Sequence, residues 1–205
     1  MAYRISPTTT DIQVANAVAE YTGPRTESAA EWLTWGADEH VLLAIAAGWW
    51  LYCRGRPLRA RRDSDHILLT TLVVSVFPHL LKSIFDQRRP DRVTVRGHPH
   101  GEPFSGKPLD AFPSGHAMHV GALVSAATIL PPAKRNLVWT FGAGLVSTRI
   151  VLLAHWASDV IAGLALGALA ERLLRRLTGY GASRRRTRPS SVEDRGRVIG
   201  KSPGR

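Results

Sequence analysis

The chain has 205 residues, a formal net charge of +11, a pI near 10.9 and a mean hydropathy of −0.07. That length makes one domain with a substantial core the default, and the single cysteine, Cys53, excludes an intramolecular disulfide. The charge is not laid out as a nucleic-acid footprint: arginines gather in two blocks, Arg54–Arg62 and Arg172–Arg205, each directly after an apolar stretch, as in the cytoplasmic flanks of membrane helices.

In the first forty residues, Thr10 and Asp11 are suited to cap a short amphipathic helix through Ala19. Gly23-Pro24 ends it, and Ser28 is suited to cap a second short helix to Trp35. These helices are expected on a membrane surface or against the main bundle. The start, MAYRISPTTTDIQ, lacks the charged-then-apolar layout of a secretory signal, which argues against a secreted soluble enzyme.

Five apolar segments follow: Val41–Cys53, His66–Lys82, Ala117–Leu130, Leu137–Ala154 and Val160–Leu177. Most fall short of the roughly 20 residues that span a bilayer, but each can extend into polar flanks whose Lys and Arg side chains snorkel. Trp49, Trp50 and Tyr52 at the end of the first segment and Trp139 in the fourth suit interfacial anchors. The expected architecture is all-α, an integral membrane bundle of about five apolar helices over 41–178. It is preceded by an interfacial segment, 1–40, and followed by a basic disordered tail, 179–205, whose charge suits anionic lipid head groups. Gly163 and Gly167, among alanines in the fifth segment, form a small-residue face for close helix packing.

The basic connections set the topology. Arg54–Arg62 follows segment one, Lys134 and Arg135 join segments three and four, and the arginine-rich tail follows segment five. With all three cytoplasmic, the ends of segments two and four and the starts of three and five face the opposite side.

Those ends carry the chemistry. Lys82 and Arg89 stand seven apart, nearly two helical turns, and share a side if the helix persists toward Pro90; Asp86 between them offers the plainer reading of an intrahelical ion-pair ladder. In Pro113-Ser114-Gly115-His116, Ser114 suits an N-cap, Gly115 permits close approach, and the free N–H groups of a helix start attract phosphate oxygens. His155 and Asp159 are spaced i, i+4, so on a helix the carboxylate can hold one ring nitrogen and leave the other free. Arg149 lies inside an apolar run, where a guanidinium is expensive unless paired. His98 and His100 in the Gly/Pro-rich loop lack the further ligands zinc would need, His79 follows Pro78 at a helix kink, and His40 and His66 mark helix starts.

Three ordered fragments, Lys82-x6-Arg89-Pro90, Pro113-Ser114-Gly115-His116 and Arg149-x5-His155-x3-Asp159, resemble the motifs of the type 2 phosphatidic acid phosphatase superfamily, over roughly Lys82 to Asp159. One departure is Thr148, which stands where the family usually has Ser before the arginine; the hydroxyl is kept. The resemblance implies a membrane-embedded hydrolase acting on a lipid phosphate or lipid diphosphate, with no metal and no cofactor. It implies His155 as the nucleophile that becomes phosphohistidine, His116 as general acid and then base, and Asp159 as the partner of His155. Lys82, Arg89, Ser114, Gly115 and Arg149 would hold the phosphoryl oxygens. The site would lie on the extracytoplasmic side, in a bacterial inner membrane. Alternatives within the resemblance are a lipid phosphotransferase and a vanadium-dependent haloperoxidase, the latter disfavoured by the small size and membrane-like flanks. The bilayer is the expected partner, and no nucleic acid is.

Overall fold

A computed structural model describes residues 3–90 and 109–181. His98, His100, most of the loop 91–111 and the basic tail from 182 onward lie outside the described residues. Seven helices dominate: α1 (Thr9–Tyr21), α2 (Pro24–Thr34), α3 (Glu39–Cys53), α4 (Leu58–Lys82), α5 (Gly115–Ala126), α6 (Pro132–Val151) and α7 (Ala157–Thr178). Short 3₁₀ turns follow α2 and α5, and two two-residue strands, β1 (Tyr3–Arg4) and β2 (Phe85–Asp86), pair in parallel.

The helices begin where their caps dictate, which moves several expected boundaries. Thr8, not Thr10, caps α1: its hydroxyl accepts from the Asp11 N–H while the Asp11 carboxylate accepts from the Thr8 N–H, a reciprocal capping box. Helix α2 starts at Pro24, with Gly23 as N-cap, rather than at Ser28, because proline in the first turn has no N–H to leave unsatisfied and its fixed φ suits a helix. Helix α4 starts eight residues before His66, just after Pro57, because the intervening Arg-Ala-Arg-Arg run is itself a good helix former. His66 is therefore mid-helix and fully buried, with Nε2 3.1 Å from Glu171 of α7.

The centre of the bundle is the α5–α7 contact. Along it, a Cβ on Gly163 would sit 2.6 Å from the Ser114 carbonyl oxygen, and one on Gly167 would collide with the Met118 carbonyl. Only glycine lets the two backbones come this close. At the far end of the same pair, Glu171 is tied to Arg175, to Ser125 Oγ (2.6 Å) and to His66, so its buried charge is compensated.

Among the described residues one helix, α4, is long and apolar enough to cross a membrane, judged by length and composition. Helices α3 and α5 have 15 and 12 residues, and α6 and α7 have 20 and 22. The C-terminal ends of α4 and α6 and the N-terminal ends of α5 and α7 meet at one end of the bundle, where the chemistry-bearing residues collect.

Candidate active site

Lys82 is the last residue of α4, and Ser83 caps the helix there. The helix therefore does not persist to Arg89. The chain turns extended, pairs as β2 with β1, and is then held to the segment before α5 by Gln87 N–H donating to Leu109 O (3.0 Å) and Ala111 N–H donating to Gln87 O (3.1 Å). Arg89 enters the site from this extended arm. Asp86 makes no intrahelical ladder, because it lies in a strand. The carboxylate between the two cations is Asp110: Arg89 Nε and Nη2 each lie 3.0 Å from Oδ1, and Lys82 Nζ lies 3.7 Å from Oδ2.

Ser114 is the N-cap of α5, and its Oγ accepts from the Ala117 N–H at 3.4 Å. The helix starts at Gly115, placing His116 in the first turn and His119 one turn on. These assignments agree with the reading of the Pro-Ser-Gly-His run. His119, 7% exposed with Nε2 3.4 Å from Ser75 Oγ, was not singled out, although an i, i+3 spacing from His116 is visible in the sequence.

Helix α6 ends in a tight reversal that joins Arg149 to His155. The Arg149 carbonyl accepts from both Ala154 N–H (3.1 Å) and His155 N–H (3.2 Å), and Leu153 takes a left-handed φ of 51°. A non-glycine residue there is strained by about 1–2 kcal/mol, which the burial of Leu153 beside Trp156 offsets. Arg149 is fully buried, with Nη1 donating to Thr34 Oγ1 at 2.8 Å.

His155 is 3% exposed and precedes α7 by two residues. Its Nδ1 donates to the Ala111 carbonyl at 2.6 Å, so the proton sits on Nδ1 and Nε2 keeps its lone pair. The Asp159 carboxylate, expected in this role, stands 4.0 Å from Nδ1 and instead accepts from the Trp156 N–H at 2.9 Å. The i, i+4 geometry does not apply because His155 is outside the helix, while Asp159, in its first turn, folds back onto the N-cap. Burial first, then the charges of Arg149, Arg89 and Lys82, pushes the His155 imidazole well below its ordinary value of 6.5 and keeps it neutral.

Lys82, Arg89, Gly115, His116, His119 and His155 line one cavity of ≈ 190 Å³. Ser114 and Asp159 are buried close behind it, joined by Ser114 N–H donating to the Asp159 carbonyl at 3.3 Å. Glu39, at the start of α3, closes the rim through His79 of α4, 3.4 Å away. Of the residues the site uses, Asp110, the Ala111 carbonyl, Thr34 and Glu39 carry no spacing signal.

A cavity lined by lysine, arginine and histidine at the meeting point of four helix ends has the chemistry suited to an oxyanion. The PAP2 superfamily model matches residues 66–181, more than half of the chain, and the protein belongs to that superfamily. Two relatives named lipid A 1-phosphatase are similar over about half of this chain: one from Rhizobium johnstonii is 38% identical over 104 residues, and one from Rhizobium etli is 41% identical over 102. The matches cover 50% and 49% of this chain and 43% and 44% of those relatives, so the chain spans less than half the length of the curated relatives it matches. The fold is that of Aquifex aeolicus LpxE (TM-score 0.62, 14% identity, 86% of this chain and 99% of that one). It is also that of the transmembrane PAP2-type phosphatidylglycerolphosphate phosphatase from Bacillus subtilis (TM-score 0.58, 20% identity, 88% of each).

Proposed function

We propose that the protein is an integral membrane lipid phosphatase that works without a metal through a phosphohistidine. The observation that carries this is His155: a neutral, buried imidazole whose Nδ1 is committed to the Ala111 carbonyl, in a cavity shared with Lys82, Arg89 and His116. Nε2 attacks phosphorus and forms a P–N bond as the P–O bond to the lipid breaks. His116 gives its proton to the departing oxygen, then takes one from the water that attacks the phosphohistidine. The P–N bond breaks, its electron pair returns to Nε2, and inorganic phosphate leaves. Lys82, Arg89, Arg149 and the Ser114–Gly115 turn stabilise the charge on the equatorial oxygens. Asp159 supports His155 indirectly, by holding the N-cap of α7.

The outer surface supports a membrane setting. Ile45, Val76, Phe141, Ile161 and Leu173 are between 50% and 67% exposed, an apolar belt on four helices that water would penalise. Arg54–Arg62 lies at the junction of α3 and α4, Lys134 and Arg135 at the start of α6, and Arg172, Arg175 and Arg176 in the last turns of α7, all away from the site; the positive-inside rule makes this distribution support a reading in which the cavity faces the extracytoplasmic side, in a bacterial inner membrane. A second, apolar cavity of ≈ 180 Å³, lined by Leu42, Ile45, Trp49, Val74 and Leu145, adjoins the first at His119 and offers a lipid tail a place beside its phosphate.

The names of the two relatives make a lipid A phosphate the first substrate to test, with phosphatidic acid, phosphatidylglycerol phosphate and undecaprenyl diphosphate beside it. Purified protein in EDTA should release phosphate from at least one, and His155→Ala should abolish both turnover and the phosphoenzyme. Release from none of the four, or release that depends on added divalent ion, would refute the proposal.

A further inference from the structure

Residues 1–40 lie outside the span that the superfamily model matches, yet two of their polar side chains, Asp11 and Thr34, hydrogen-bond to the residues around the proposed catalytic turn. Asp11, 2% exposed, accepts four hydrogen bonds: from Thr8 N–H and Oγ1 at 2.9 and 2.8 Å, and from Ser158 N–H and Oγ at 2.9 and 2.8 Å. The Ser158 N–H is one of the first-turn donors of α7 that no carbonyl of its own helix can reach. Asp11 thus caps α7 from another helix, three residues after His155. Burial alone would push the Asp11 carboxyl up, but the bonds from Ser158 and Thr8 outweigh it and hold the group below its ordinary value, as the acceptor-only form requires.

Thr34, the last residue of α2, makes the matching contact on the other side of the turn. Its Oγ1 accepts from Arg149 Nη1 at 2.8 Å and from Thr148 Oγ1 at 3.4 Å. Between these two points, Ala15 shares a packed cluster with Ala111, Leu153 and Trp156, and Ala30 shares one with Leu152 and Ala154. The strained reversal that carries His155 is therefore seated on α1 and α2. A segment merely resting on a membrane surface would have no reason to bury a carboxylate against the start of α7.

Building on the roles proposed above for His155 and Arg149, we infer that Asp11 and Thr34 are positioning residues of the active site. Asp11, through Ser158, fixes the start of α7 and with it the aim of His155 Nε2. Thr34 fixes the guanidinium fork of Arg149. The helical pair α1–α2 is part of the catalytic unit.

The test is steady-state kinetics on the full chain, using a short-chain phosphatidic acid and whichever of the four lipids above is turned over best, with thermal melting of every variant. Asp11→Asn and Thr34→Val should each lower kcat about 10-fold with KM within about 2-fold, the loss expected of one buried bond to a charged group. Thr34→Ser, which keeps the hydroxyl, should restore the rate. Because Thr34 acts through Arg149, Thr34→Val should add little to the defect of Arg149→Ala in a double-mutant cycle. Variants that melt earlier while kcat per folded molecule is unchanged would overturn the inference, as would full additivity of Thr34→Val with Arg149→Ala. A wild-type protein that turns over none of these lipids removes the phosphatase reading itself, and this inference with it.

Discussion

Arg89 and Asp110 form a close ion pair in which two guanidinium nitrogens, Nε and Nη2, converge on one carboxylate oxygen at 3.0 Å. The other oxygen faces Lys82, so one acidic side chain holds two of the cations proposed to receive phosphate. Asp110→Asn keeps the shape and removes the charge. Inorganic phosphate, which then meets two less compensated cations, should inhibit several-fold more tightly, while kcat falls about 10-fold as the cations lose their alignment. Unchanged phosphate inhibition in this variant would sink the proposed role.

The pH profile follows from the environment of His155. In the proposed mechanism a protonated His155 has no lone pair for attack, so the acid limb of kcat/KM should lie well below 6.5, where burial and the surrounding cations place the group. Removing one of those cations makes the imidazolium less unfavourable. Arg89→Gln should accordingly move the acid limb upward, toward 6.5, in addition to lowering the rate. A limb that stays in place, or moves to lower pH, would show that His155 is not the titrating base.

Orientation in the membrane is testable by cysteine labelling, but not with the native thiol. Cys53 is 1% exposed and would resist a reagent from either side. On a Cys53→Ser background, Tyr3→Cys (71% exposed, beside β2 and the site) should react with a membrane-impermeant maleimide in intact cells, whereas Leu58→Cys (68% exposed, at the opposite end of α4) should not. The reverse labelling pattern would place the site in the cytoplasm.

The α5–α7 contact leaves no volume to spare at Gly167, where an added methyl meets the Met118 backbone rather than a movable side chain. Gly167→Ala should destabilise the protein by about 1–3 kcal/mol, the usual penalty of overpacking. Gly144, whose Cβ would meet nothing within 4 Å, should accept the same change quietly. Equal melting temperatures for the two variants would contradict the close approach.

Much of the candidate site was legible because its residues sit where apolar runs end: Lys82 closes one, Ser114–His116 opens another, and Arg149 and His155 flank a third boundary. Physical chemistry assigns such charges a purpose before any contact is known. The partners were harder. Asp110 and the Ala111 carbonyl come from the end of a Gly/Pro-rich loop, and a backbone oxygen has no signature in sequence. The expected His155–Asp159 hydrogen bond assumed a helix two residues before it begins, a boundary error small in length but decisive for which group holds Nδ1. Thr8-x-x-Asp11 is a readable capping box, yet its second use, at Ser158, depends on a contact 147 residues away in the chain.

The pairing of β1 with β2 has a practical consequence for anyone producing this protein. Tyr3 N–H donates to Ile84 O at 2.8 Å and Ile5 N–H to Asp86 O at 2.9 Å, so the first residues grip the short arm that delivers Arg89. An affinity tag fused directly before Tyr3 would pull on that arm. A preparation with a weak or missing activity should therefore be checked first for the end of the chain that carries its tag.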